Sequence, residues 1–222
     1  FIVCTDAGLS SERNRKFNNF GGRCFITTQS IKKLKKDLRQ WCLEPTGWHL
    51  KDSLDTYDIS RLEDTAKNRS KLFYKQLYVE GNDGKRDIDF DQTLIVTYSL
   101  KYRNYQQQIR NQQILRAIKA IDTEPKRIDK HSQNDYRRFI KKTSITADGE
   151  CAANKIYEID QDAVQEEAQY DGFYAVYTNL DDDPSEIAAV NQGRWEIEES
   201  FRIMKSEFEA RPVYLKRDDR IK

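Results

Sequence analysis

The opening run Phe1-Ile2-Val3-Cys4-Thr5 sets the first limit on the fold: it is short, mostly apolar and halted at Asp6-Ala7-Gly8. A run of that length with β-branched members predicts a strand buried on both faces. Ser10 or Ser11 is placed to cap a following helix. Arg23-Cys24-Phe25-Ile26-Thr27-Thr28 predicts a second strand, and Ser30 precedes a lysine-rich helix running to about Leu43, with Ile31, Leu34 and Leu38 on one side. The opening is therefore an α/β alternation.

The middle changes character. Leu72 to Val79 and Thr93 to Tyr98 predict an antiparallel strand pair joined through Gly81-Asn82-Asp83-Gly84. From Lys101 to about Ile121 a Gln- and Arg-rich stretch without Gly or Pro carries Ile109, Leu115 and Ile118 at irregular helical spacing, which predicts a long, largely exposed helix ended by Glu124-Pro125. Gly172 to Asn179 predicts another strand. Asp181-Asp182-Asp183-Pro184-Ser185 then supplies turn and helix-start chemistry for a helix from about Ser185 to Phe208. The fold class expected is α/β, or α+β over the whole length.

Composition narrows the function classes. Charged residues are 34% and apolar ones 37%, mean hydropathy is -0.89, and no apolar run approaches the roughly 18 residues that a membrane span needs. No membrane partner is expected. Cys4, Cys24, Cys42 and Cys151 lie far apart and the histidines are His49 and His131, so zinc-ligand spacing is missing and reduced thiols in a cytosol are expected. No nucleophile motif stands behind a Cys/His or Ser/His pair, so any chemistry should rest on carboxylates. The first residues carry no initiator Met and no secretory leader pattern, which reads as a piece of something longer.

Net charge is +1, but basic residues gather at Lys32 to Arg39 and at Arg137 to Lys142, while acids gather at Glu158 to Asp171 and Asp181 to Glu186. Separate basic and acidic faces fit this distribution, as do ordinary solvated helix faces.

The last helix carries the most information. Advancing about 100° per residue from Arg194 puts Glu198 near 40°, Lys205 near 20° and Asn191 near 60°, with Val190, Ile197, Phe201, Met204 and Phe208 on a neighbouring apolar row. A carboxylate bordering a buried stripe between two cations suits a metal-and-phosphate site. The same spacing also describes an ordinary surface pair of Arg194 with Glu198, worth a few tenths of a kcal/mol. Asp6 has two readings as well: a turn or helix cap, or a member of the sites that gather at the carboxyl ends of strands.

These residues carry a resemblance. Val3-Cys4-Thr5-Asp6-Ala7-Gly8-Leu9-Ser10-Ser11 resembles the strand that bears the second catalytic aspartate in insertion-sequence DDE transposases. Arg194-Trp195-Glu196-Ile197-Glu198-Glu199-Ser200-Phe201-Arg202-Ile203-Met204-Lys205 resembles the Y-(2)-R-(3)-E-(6)-K signature of their "insertion sequence four" type group, with Arg194, Glu198 and Lys205 at the matching positions. Tyr170 to Val176 and Arg211-Pro212-Val213-Tyr214 also look like that family. Two features depart from it: Asn191 stands where the signature has Tyr, and no residue here corresponds to the family's first catalytic aspartate.

The resemblance implies a partial ribonuclease H-like core in residues 1–30 and 172–222, interrupted by a mixed β/α insertion domain over 31–171. It implies that Asp6 and Glu198 are catalytic metal ligands for Mg²⁺, with Mn²⁺ able to substitute, and that Arg194 and Lys205 bind DNA. The partners it implies are double-stranded DNA at the ends and target of a mobile element, and a second copy in a homodimeric DNA complex in the bacterial cytoplasm. The chain alone is expected to be inactive for want of the first aspartate. A metal-dependent nuclease that cuts without joining, and a non-catalytic DNA-binding remnant, are the competing expectations. Trp41 and Trp48 invite a base-stacking role, but aromatic residues beside Leu38, Leu43 and Leu50 more often fill a core.

Overall fold

The computed structural model describes residues 1–81, 90–123, 135–145 and 151–192. In chain order its elements are β1 (Ile2–Thr5), α1 (Glu12–Asn19), β2 (Cys24–Gln29), α2 (Lys36–Leu43), α3 (Ala66–Arg69), β3 (Phe73–Val79), β4 (Gln92–Tyr98) and α4 (Leu100–Thr123), followed by β5 (Ile140–Ile145), β6 (Cys151–Ile159), α5 (Gln161–Ala168), β7 (Phe173–Thr178) and α6 (Pro184–Gln192). The protein is mixed α/β. Five strands share one sheet in the order β1-β2-β7-β4-β3, while β5 and β6 form a separate antiparallel pair. β1 runs parallel to β2, and the other three junctions of the large sheet are antiparallel.

Alternation along the central strands divides two apolar clusters between the faces of the sheet. Phe25, Leu94, Val96, Ala175 and Tyr177 join Trp48 and Phe73 on one face, where α1 also packs through Arg15. Ile26, Ile95 and Val176 join Ile187 of α6 on the other. β4 has neighbours on both sides and both faces, which suits its continuous run Leu94-Ile95-Val96.

β1 corrects the expectation of a strand buried on both faces. Among the described strands it stands at the end of the sheet, beside β2, with Phe1 89% and Ile2 44% exposed. An apolar run predicts a strand without fixing how many neighbours it acquires.

The single helix expected from Ser30 to Leu43 is also divided. A 3₁₀ turn at Ile31–Lys33 is followed by extended backbone at Leu34 and Lys35 before α2 begins. A continuous helix would set Lys32 one turn from Lys35 and Lys36, and like charges so spaced repel. The apolar side survives the break: Ile31 and Leu38 are buried and Leu34 packs against the same core.

The segment 31–171 supplies β3 and β4 to the large sheet. Beyond them α4 packs against the turn Tyr136–Phe139 and against β6, and Phe139 is fully buried there. Two forked ion pairs tie this layer together. Arg110 of α4 meets both oxygens of Asp171 at 2.6 Å, with the two side chains 8% and 11% exposed. Arg138 meets both oxygens of Glu167 at 2.9 Å and also donates to Gln113. Here the basic cluster at 137–142 meets the acidic one at 158–171, Arg138 on Glu167 and Lys141 opposite Glu158 across the β5–β6 ladder.

Gly172 joins the α4 layer to β7. Its φ is +86°, and a Cβ there would stand 2.8 Å from the Tyr98 ring and 3.0 Å from the Ser99 carbonyl. Only glycine combines that backbone with that approach.

Candidate functional site

Of the four residues singled out by sequence, Asp6 is described; Arg194, Glu198 and Lys205 lie outside the described residues. β1 delivers Asp6 to the carboxyl end of a parallel pair. Thr5 pairs with Thr27, and their hydroxyls are 2.8 Å apart, so the end of β1 is pinned to β2 immediately before Asp6.

Asp6 caps the 3₁₀ turn Ala7–Leu9. Its Oδ1 accepts from the backbone N–H of Gly8 at 2.9 Å and of Leu9 at 3.2 Å. A Cβ on Gly8 would stand 3.1 Å from that oxygen, so glycine at this position keeps the cap unobstructed. Ser11 caps α1 in turn, accepting from the Asn14 N–H. The capping reading of Asp6 is therefore real, and it occupies one carboxylate oxygen. Among the described residues Oδ2 has no partner, and the side chain is exposed.

An oxygen donor held by its twin at a strand end suits a hard divalent cation. One carboxylate does not make a metal site, and among the described residues no group of three His, Cys, Asp or Glu side chains is close enough to hold an ion. The donor chemistry at Asp6 fits Mg²⁺, and the rest of a ligand set would have to come from elsewhere.

α6 lies on the face of Ile26, Ile95 and Val176 and packs against β3, the strand farthest from β1 in the sheet. Asp183 caps it, its Oδ1 accepting from the Ser185 N–H at 2.8 Å and from the Ser185 hydroxyl. The Ser185 hydroxyl, helped by the Ser185 and Glu186 backbone N–H groups, holds the Asp183 carboxyl below its ordinary range. The buried row of the helix is Pro184, Ile187, Ala188 and Asn191, while Val190 is 48% exposed. This corrects the rows read from sequence, in which Val190 belonged to the apolar side and Asn191 to the polar one.

Asn191 is 5% exposed, and its Nδ2 donates to the Tyr174 hydroxyl at 2.8 Å. That hydroxyl lies 2.6 Å from Thr28 Oγ1. Thr28 is the residue after Thr27 on β2, one strand over from the end of β1, and Tyr174 lies two residues before its β7 partner Val176. Oδ1 of Asn191 is buried with no partner among the described residues. Leaving such a group unpaired costs about 1–3 kcal/mol. Tyr174 and Thr28 escape sequence reasoning, since nothing local marks two residues 146 apart as partners.

A second polar feature lies away from this edge. Lys75 is 5% exposed, and its ammonium donates to the carbonyls of Trp41 and Glu44 beneath the faces of Trp41 and Trp48. Burial lowers it to about 8 despite the opposing pull of Cys42 and Glu44, and burial raises the neighbouring Cys42 thiol to about 12. Lys75 and both carbonyls close the carboxyl end of α2, a favourable position for a cation. An open cleft of about 530 Å³ with Trp41, His49 and Tyr74 in its walls adjoins them. Trp48 itself is fully buried against Tyr98 and Phe173, which makes it a core residue rather than a stacking platform.

No helix of the described residues is long and apolar enough to cross a membrane. Comparison with family models, curated proteins and solved structures finds no match to this chain.

Proposed function

We propose that this chain is part of a ribonuclease H-like DNA transposase of the "insertion sequence four" type, which cuts and joins strands at the ends of a mobile element. The observation that carries this reading is that α6, the helix that leads into Arg194 to Lys205, is bonded through Asn191 and Tyr174 to Thr28 on β2, the strand paired with β1, at whose end Asp6 stands with no partner on Oδ2 among the described residues.

In this reading Asp6 and Glu198 hold Mg²⁺, with Mn²⁺ able to replace it, and a third carboxylate comes from outside residues 1–222. The ion, when bound, supplies polarisation of the phosphodiester and activation of water or a 3′-hydroxyl. The backbone N–H groups on Asp6 Oδ1 keep the carboxylate from rotating, so Oδ2 meets its ligand without reorganisation. Arg194 offers a planar fork for a phosphate and Lys205 a point charge. The remaining partners are double-stranded DNA and a second copy of the protein in a homodimeric complex in the bacterial cytoplasm.

The test is Mg²⁺-dependent cleavage and strand transfer on the element's end DNA by the full-length protein, beside Asp6→Asn and Glu198→Gln. Both substitutions should abolish chemistry while leaving folding and DNA binding intact. Cleavage without joining would instead identify a nuclease. DNA binding with no cleavage by the unsubstituted protein would identify a non-catalytic remnant.

A further inference from the structure

We infer that the outer edge of β3, at Gln76 and Tyr78, docks an extended polypeptide segment that carries basic residues and binds as an added strand. The inference is independent of the metal-site reading above. Ladder geometry defines the edge. The N–H and C=O of Tyr74 both bond to His49, at 2.9 and 2.8 Å, so they point away from β4. Alternate residues of an antiparallel strand bond to opposite sides, so Gln76 and Tyr78 turn outward with Tyr74 while Lys75, Leu77 and Val79 bond to β4. Among the described residues no backbone group bonds to Gln76 or Tyr78 on that outer side.

The chain fills one position on this edge and then turns aside. Continued antiparallel to β3 from His49, it would set Gly47 opposite Gln76, but Gly47 has a φ of +77° and makes no bond there. Thr46, Gly47 and Gln76 instead stand in the walls of the cleft of about 530 Å³, beside Trp41 and Tyr74. Sheet edges are commonly guarded by outward lysines, by prolines or by a covering segment. Gln76 and Tyr78 are neither lysine nor proline, both are exposed, and Lys75 is buried under Trp41 and Trp48. Charge selects the occupant. The Tyr78 hydroxyl is raised by its bond to Asp91, and the charges of Asp91, Glu80 and Asp181 add to this. A residue added opposite Tyr78 lies on the same face as that side chain, so a lysine or arginine there is drawn to these carboxylates. A second copy of the chain is a poor occupant. Setting Gln76 opposite Gln76 puts Tyr78 against Tyr74, whose position His49 fills, and registers moved toward Tyr78 bring the like charges of Glu80 and Asp91 together.

The experiment uses the full-length protein and a short fluorescent peptide of alternating lysine and valine, followed by anisotropy and by amide hydrogen exchange. The peptide should bind and slow exchange at Gln76 and Tyr78, whose N–H groups are open without it. With its lysines opposite those two residues, its valine amides point away from β3. Methylating the lysine amide nitrogens should therefore weaken binding at least about tenfold, the worth of one or two hydrogen bonds, while methylating the valine ones should not. A peptide of alternating glutamate and valine should bind at least about tenfold more weakly, because the wrong charge faces the carboxylates. Gln76→Pro, tolerated where the N–H faces outward, should weaken the lysine peptide by a similar factor. No binding, equal loss from the two methylation patterns, or a glutamate peptide that binds as tightly as the lysine one would overturn the inference. So would protection at Ile2 to Thr5 of β1 in place of β3. Slow exchange of Gln76 and Tyr78 in the protein alone would also overturn it, assigning the edge to a second copy or to the chain itself.

Discussion

The Asp6 edge of the sheet and the layer built on α4 satisfy their polar groups in opposite ways. At the edge, Asp6 bonds to N–H groups two and three residues ahead, and Ser11 to one three residues ahead. In the α4 layer the charged groups reach across the chain, Arg138 to Glu167 over 29 residues and Arg110 to Asp171 over 61. Local caps need only a nearby turn, and this one leaves Asp6 Oδ2 without a partner among the described residues. Forked pairs between distant elements exist only once those elements have packed, and each carboxylate oxygen of Asp171 and Glu167 already meets a guanidinium. Among the described residues the edge keeps one acceptor open, while the α4 layer pairs its charges internally.

The largest effect expected from this contrast is at the edge. Asp6→Asn should lower metal-dependent cleavage by about 10³-fold or more, yet change unfolding free energy by under about 1 kcal/mol, because asparagine also caps. A large loss of stability in urea denaturation would put Asp6 in the same class as the α4 pairs and break the comparison.

Next is the Arg110–Asp171 pair. Asp171→Ala should destabilise by about 3–5 kcal/mol in the same measurement, since it strands a guanidinium that is only 8% exposed. A change below about 1 kcal/mol would mean that the pair behaves as a surface contact.

Glu167 provides a smaller, pH-dependent effect. Burial alone would raise its carboxyl, but the bonds from Arg138 and the charges of Lys32 and Arg110 carry it below its ordinary value. A carboxyl lowered by folding contributes stability that is complete above the unfolded value, about 4.3, and is lost as pH falls through the lower folded one. The stability difference between the unsubstituted protein and Glu167→Gln should therefore be level above about pH 5 and shrink below about pH 4. A difference independent of pH would leave Glu167 without an electrostatic role. The smallest effect belongs to Ser11→Ala, about 1 kcal/mol for one lost helix cap, read as a shift in the urea midpoint.

Much of the fold is legible in the residue order. β3 and β4, α4 from Leu100 to Thr123, β7, the Ser11 cap and the Asp183-Pro184 start of α6 all lie where spacing and capping chemistry predict them. β5 and β6 escape notice because Lys141, Lys142, Asn154, Lys155 and Glu158 interrupt any apolar alternation. Among the site residues, Asp6 is legible as the polar stop after an apolar run, while Tyr174 and Thr28 are not.

What the sequence determined by itself is set within about one helical turn: which stretches extend, which coil, and which side chains cap their own backbone. Periods of two and 3.6 residues and bonds to the next few N–H groups require nothing distant. The tertiary structure alone decided that β7 inserts between β2 and β4, that β1 ends the row of described strands, and that Asn191 turns inward to Tyr174 while Val190 turns out. Those outcomes depend on which faces close over one another across scores of residues, where the competing arrangements share the same local pattern and differ only in packing.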